Sequence, residues 1–213
     1  SLSRQINLNI FSQLGGRGFS LIFSALTTLF LRRLWGRQGF GDYVFVFAVV
    51  NLLVTLSDFG THLVTVKETA QKEKQRSKII GTTLTLQFFL ALFTTALGFL
   101  VLKCFFVSQP VYFLAIIALP LVMLIAFKRS LLTVFHSELK LYFSSLQDIL
   151  TSAGLFTAAL YVFLIRGQVA FFLGLAMAVY FVTNIIFGVL TWRKFRPRLN
   201  FDWRRSKRIL SQS

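Results

Sequence analysis

Five charged side chains stand inside otherwise apolar runs, and through them this chain could do chemistry: Arg17, Asp58, Lys128, Arg129 and Asp148. A fixed arginine offers a planar fork that donates two parallel hydrogen bonds to a phosphate or carboxylate. A fixed carboxylate can keep such a cation oriented, or couple to a mobile ion. Bond-breaking chemistry needs more, namely clustered acids or a nucleophile with its base. Two distant histidines, His62 and His136, and scattered acids do not supply it, so the chain does not read as an enzyme. His62 reads as a polar helix-packing residue, and Cys104 as a small apolar residue near a helix end. The single cysteine gives no metal set, and no cofactor is expected. Asp58 opens the triplet Asp58-Phe59-Gly60, which protein kinases use to hold magnesium. The Gly-rich loop, strand lysine and His-Arg-Asp loop that accompany it there are missing here.

The elements that must hold these charges are strongly apolar. The chain has 213 residues, 55% hydrophobic, 26 of them Phe and only 14% charged, with a mean hydropathy of +0.70. A soluble domain carries roughly 25% charged residues. A net charge of +16 could suggest nucleic acid, but the cations gather between long apolar runs instead of covering a solvated face. A membrane is the better partner for that pattern, and nucleic acid is excluded.

A bilayer core of about 30 Å is crossed by about 20 apolar residues in a helix. Six runs meet that length: 9–31, 43–66, 79–102, 111–134, 142–165 and 169–192. The expectation is an all-α membrane bundle of six transmembrane helices over residues 1–192, followed by a basic tail, 193–213. The first run is too long and too polar for a removable signal peptide. Cytoplasmic loops hold the excess of Lys and Arg. One face receives fifteen cations, from Arg4, the 67–78 connector, Lys140 and the tail; the other receives five, Arg32, Arg33, Arg37, Lys103 and Arg166. Both termini of the segment are therefore expected in the cytoplasm, and Trp35, Trp192 and Trp203 fall at or beyond run ends, as an aromatic belt requires. The basic tail also suits anionic lipid headgroups.

Polar residues recur along single helix faces: Gln13, Arg17, Ser20, Ser24 and Thr27, then Asn51, Thr55, Asp58, His62 and Thr65. The fifth run offers Ser144, Asp148, Thr151 and Ser152, and the sixth Tyr180, Thr183, Asn184 and Thr191. Hydroxyls and amides of this kind often only join helices. Charges are different, because one at the bilayer centre costs roughly 2.5–3.5 kcal/mol and so faces a wet cavity or a partner. At 1.5 Å per residue, all five lie roughly 8–13 Å in from the cytoplasmic side, and the outer half has none. That asymmetry suits a cavity receiving an anionic headgroup from the cytoplasmic leaflet, with Asp58 a candidate partner for Arg17.

The stretch "RGFSLIFSALTTLFLRRLWGRQGFGDYVFVFAVVNLLVTLSDFGTHLVTVKETA" resembles the N-terminal region of polysaccharide-biosynthesis flippases, in the multidrug/oligosaccharidyl-lipid/polysaccharide exporter superfamily. The resemblance rests on Arg17, the segment "RRLWG", Phe40-Gly41-Asp42-Tyr43 with Gly41 as a turn glycine, Asp58 with Gly60, and Lys67. "VFHSELKLYFSSLQDIL" is similar to the family's fourth-to-fifth-helix connection. It implies outward flipping of polyprenyl-diphosphate-linked sugars through two six-helix lobes around a cationic lumen. Arg17, Lys128 and Arg129 would meet the diphosphate; Asp58 and Asp148 would pair with those cations or couple an ion. The chain would be one lobe, needing a second from the same full-length polypeptide or from a dimer partner. Two rivals stand beside this reading: a drug or small-cation antiporter of the same superfamily, using the acids, and a non-transporting membrane scaffold.

Overall fold

The computed structural model describes residues 2–58, 61, 65, 76–136 and 141–195. Among them there is no strand. Five helices follow one another: α1 (Leu2–Asp58), α2 (Arg76–Phe105), α3 (Tyr112–His136), α4 (Leu141–Leu164) and α5 (Val169–Phe195). All five are long and apolar enough to cross a membrane. Their outward faces carry large side chains such as Phe93, Phe105, Phe113 and Leu164, each at least 65% exposed. Water would drive such a surface to associate, whereas lipid tolerates it. The chain is a multi-pass membrane protein.

The six expected crossings appear as five helices, because the run 9–31 and the run 43–66 as far as Asp58 both belong to α1. Nor does the turn fall at Gly41, which is helical; the break lies at Gly36, with φ 64° and ψ −159°. Glycine reaches that region without the Cβ clash that bars other residues. The break folds α1 back on itself. Ser20 and Phe47 would stand about 40 Å apart on an unbroken helix, yet they line one cavity. The described part of the second arm ends at Asp58, with Thr61 and Thr65 helical beyond it. Gly60, His62, Lys67, Lys140, most of the 67–78 connector, the tail beyond Phe195, and the side chains of Arg4 and His136 lie outside the described residues.

One apolar core joins all five helices, through Val50 and Val54 of α1, Leu102 of α2, Val122 of α3, Ala159 of α4 and Phe172 and Leu173 of α5. Lipid gives little hydrophobic drive between helices, so close packing of small residues does much of the joining. A Cβ added at Gly16 of α1 would stand 2.6 Å from the Ser145 Cβ of α4, and one at Gly154 of α4 would stand 2.7 Å from Val179 of α5. Rings add to this: Phe30 meets Phe156 and Phe163 of α4, with centroids 5.9 and 5.2 Å apart. At the broken end of α1 the Trp35 Nε1–H donates to the Gly167 carbonyl at 2.8 Å, fixing the break against the α4–α5 turn.

Candidate functional site

The first arm of α1 turns Ser20, Ser24, Thr27 and Thr28 toward one space, Ser24 and Thr28 at its open side, and the second arm presents Tyr43 and Phe47 to it. Together with Lys128 of α3, Asp148, Thr151 and Ser152 of α4 and Tyr180 of α5 they line a cavity of about 190 Å³. A neighbouring cavity of about 280 Å³ shares Phe47, Lys128, Asp148 and Tyr180 with it and adds Asn51 and Arg129. The hydroxyls survive in an apolar setting by bonding back to their own helices. Thr27 donates to the Phe23 carbonyl at 2.8 Å, Thr151 to that of Gln147 at 2.7 Å and Ser152 to that of Asp148 at 2.8 Å. This satisfies each proton and leaves oxygen lone pairs toward the space.

At the junction of the two cavities the Lys128 Nζ donates to the Asp148 Oδ1 at 2.8 Å, with the side chains 13% and 37% exposed. An ammonium has three N–H donors. Among the described residues only Asp148 accepts one, so two remain. Arg129 beside it makes no ion pair among the described residues, and its fork is free to take an oxyanion. A net cation therefore borders a hydroxyl-lined space within the helix bundle.

The five sequence-selected charges do not all converge. Lys128, Arg129 and Asp148 share one site. Arg17 is exposed on α1, one helical turn before Ser20, and lines neither cavity. Asp58 joins a polar contact between α1 and α2: the Thr61 hydroxyl lies 3.2 Å from the Asp58 Oδ1 and 3.1 Å from the Gln87 Oε1. Gln87 Nε2 in turn donates to the Ser57 carbonyl at 3.3 Å. Among the described residues Arg17 and Asp58 form no ion pair, although their depths suggested one. Thr65 with Thr83, 3.1 Å apart, and Asn184 Nδ2 donating to the Leu124 carbonyl at 2.8 Å, show stripe residues joining helices.

Sequence reasoning passed over Gln147, which is wholly buried beside Asp148, its amide without a hydrogen-bond partner among the described residues. Its position four residues before Thr151, on one helical face, was the available signal. Tyr43, Phe47 and Phe172 were missed as cavity walls, because aromatic residues are so abundant in this chain that none stands out. The described residues hold no group of three or more His, Cys, Asp or Glu able to bind a metal.

Two solved structures share the fold. One is a MOP superfamily transporter from Pyrococcus furiosus, for which a reversed polarity of the binding pocket suggests a different function; it matches at 15% identity and a TM-score of 0.72 over 97% of this chain. The other is a multidrug resistance MATE family transporter of the MOP superfamily in an outward-facing conformation, at 14% identity, the same TM-score and the same coverage of this chain. The match covers 49% of each of them, so the chain spans about half their length. No curated protein matches it. The family model described as polysaccharide biosynthesis protein matches residues 5–213, and the chain belongs to that family.

Proposed function

We propose that the chain is one lobe of a flippase that moves polyprenyl-diphosphate-linked oligosaccharide across the cytoplasmic membrane by alternating access, for assembly of cell-surface polysaccharide. The observation that carries this is the cationic site at Lys128 and Arg129, held by Asp148 beside a hydroxyl-lined cavity. The diphosphate binds there, its charge drawing Lys128 away from Asp148. Tyr180 lines both cavities beside that carboxylate. Arg17, a turn outside the cavity wall, is the first cation the headgroup meets. Six crossings follow if each arm of α1 spans the bilayer: Gln13–Trp35 and Arg37–Asp58 are each about 33–35 Å long at 1.5 Å per residue, against a core of about 30 Å. A second lobe, in the same polypeptide or a dimer partner, covers the polar face.

One observation favours the drug or small-cation antiporter instead: Asp148 is the more open member of the pair, so a cationic substrate could reach it. The two readings separate in an export assay with the intact transporter in a strain lacking it, membrane levels of each variant being measured in parallel. For the flippase, Arg17→Ala and Lys128→Gln abolish export of lipid-linked glycan, and Arg17→Lys retains part, since a point charge replaces a fork. Absence of glycan export, with efflux of a cationic drug that survives loss of both cations and fails with Asp58→Asn or Asp148→Asn, assigns the chain to the antiporters.

A further inference from the structure

We infer that Arg32, Arg33, Arg37 and Arg166, at the end of the lobe that carries the Gly36 break, form a second anion site, which takes the diphosphate of a lipid headgroup as it leaves the Lys128 cavity. The inference rests on the proposed flippase reading and on the orientation that puts this end outside. Arg32 to Arg37 and Arg166 are far apart in sequence, and the fold brings their backbones together through the 2.8 Å hydrogen bond from Trp35 to Gly167. Arg33 and Arg37 flank that tryptophan, and Arg166 precedes that glycine. All four are exposed, and none makes an ion pair among the described residues. Asp42 is the single acid near them in the sequence.

Ordinary causes account for only part of this cluster. The helix dipole favours cations at helix C-termini, which suits Arg32, Arg33 and Arg166, but it opposes Arg37 at the start of the second arm. Arg166 holds φ 52°, a left-handed conformation that costs a side-chain-bearing residue. The bias of lysine and arginine toward the cytoplasmic side would also deplete this end. A phosphodiester lipid brings one charge, which one guanidinium fork satisfies. A diphosphate diester brings two adjacent charges, and these match forks arriving from two chain segments.

The test uses the intact transporter in nanodiscs, with bound lipids counted by native mass spectrometry. The probes are undecaprenyl diphosphate carrying one sugar, a diphosphate diester, and phosphatidylglycerol. The variant with Arg32→Gln, Arg33→Gln, Arg37→Gln and Arg166→Gln is expected to lose one diphosphate lipid and to keep its phosphatidylglycerol count. Arg37→Gln or Arg166→Gln alone, which serve if the fourfold variant melts early, each weaken that site about tenfold or more. An unchanged diphosphate count overturns the inference. So does an equal loss of phosphatidylglycerol, which makes the cluster a bulk headgroup anchor. Lys128→Gln with Arg129→Gln should remove a different diphosphate lipid; if it removes none, the cavity reading fails while the arginine site stands or falls on its own variants.

Discussion

Removing the Lys128 ammonium with a neutral side chain one atom shorter, as Lys128→Gln, leaves Asp148 at the cavity without its cation. At the observed 2.8 Å, Coulomb attraction at an effective dielectric of 20 is about 6 kcal/mol, an upper bound before desolvation. Breaking a buried pair costs about 3–5 kcal/mol, and exposed pairs contribute at most about 1 kcal/mol. With Asp148 37% exposed, the loss belongs between those limits, at about 2 kcal/mol. For a unit of this size that lowers the melting temperature by about 4–8 °C. The assay is intrinsic tryptophan fluorescence of the detergent-solubilised intact transporter during heating. Asp148→Asn should cost at least as much, because it strands Lys128, whose side chain is only 13% exposed. The double variant should recover most of the loss, since no unpaired charge remains. A double variant as unstable as Lys128→Gln, or two single variants that melt like the parent, would refute the pair as the organiser of this site.

Other expectations concern the frame that positions the cavity. Gly36→Ala meets no atom within 4 Å, so its cost of about 1–3 kcal/mol is backbone strain alone, and Gly36→Asn should melt as early, because ψ −159° lies outside the left-handed region that asparagine tolerates. Gly16→Ala drives a Cβ to 2.6 Å from the Ser145 Cβ and should destabilise by about 1–3 kcal/mol, while Gly18→Ala, with nothing within 4 Å, serves as the neutral control. In intact cells, with Cys104 replaced, an impermeant thiol reagent should label a cysteine at Gln38 and not one at Gln71. The reverse pattern would invert the orientation and move the arginine cluster to the cytoplasmic side.

Apolar run lengths made the helical membrane architecture readable, because a bilayer demands about 20 residues per crossing regardless of packing detail. Where the α1 break falls was not readable. Gly36, Gly39 and Gly41 all offered a turn, and only the Trp35–Gly167 contact, made across the fold, distinguishes the first. The stripe Ser20, Ser24, Thr27 was legible as one face, since its spacing is local, and that face does line the cavity. The partner of each charge was not legible. Depth along a helix places Arg17 and Asp58 at similar heights but says nothing of rotation, and rotation sets Asp58 against Thr61 and pairs Lys128 with Asp148. Gln147 escaped notice for the same reason, since a glutamine in an apolar run reads alike whether it faces a cavity or is sealed between helices.

The most direct measurement of the central claim is photocrosslinking of the intact transporter with an undecaprenyl-diphosphate lipid that carries its photoreactive group at the headgroup, followed by mass-spectrometric mapping of the adducts. The proposed mechanism predicts adducts on the cavity wall, within Ser20–Thr28 of α1 and around Lys128 of α3, competed away by unlabelled lipid and lost in Lys128→Gln with Arg129→Gln. Adducts confined to the lipid-facing surface, such as Phe88 to Phe93 of α2, and unaffected by competitor, would contradict it.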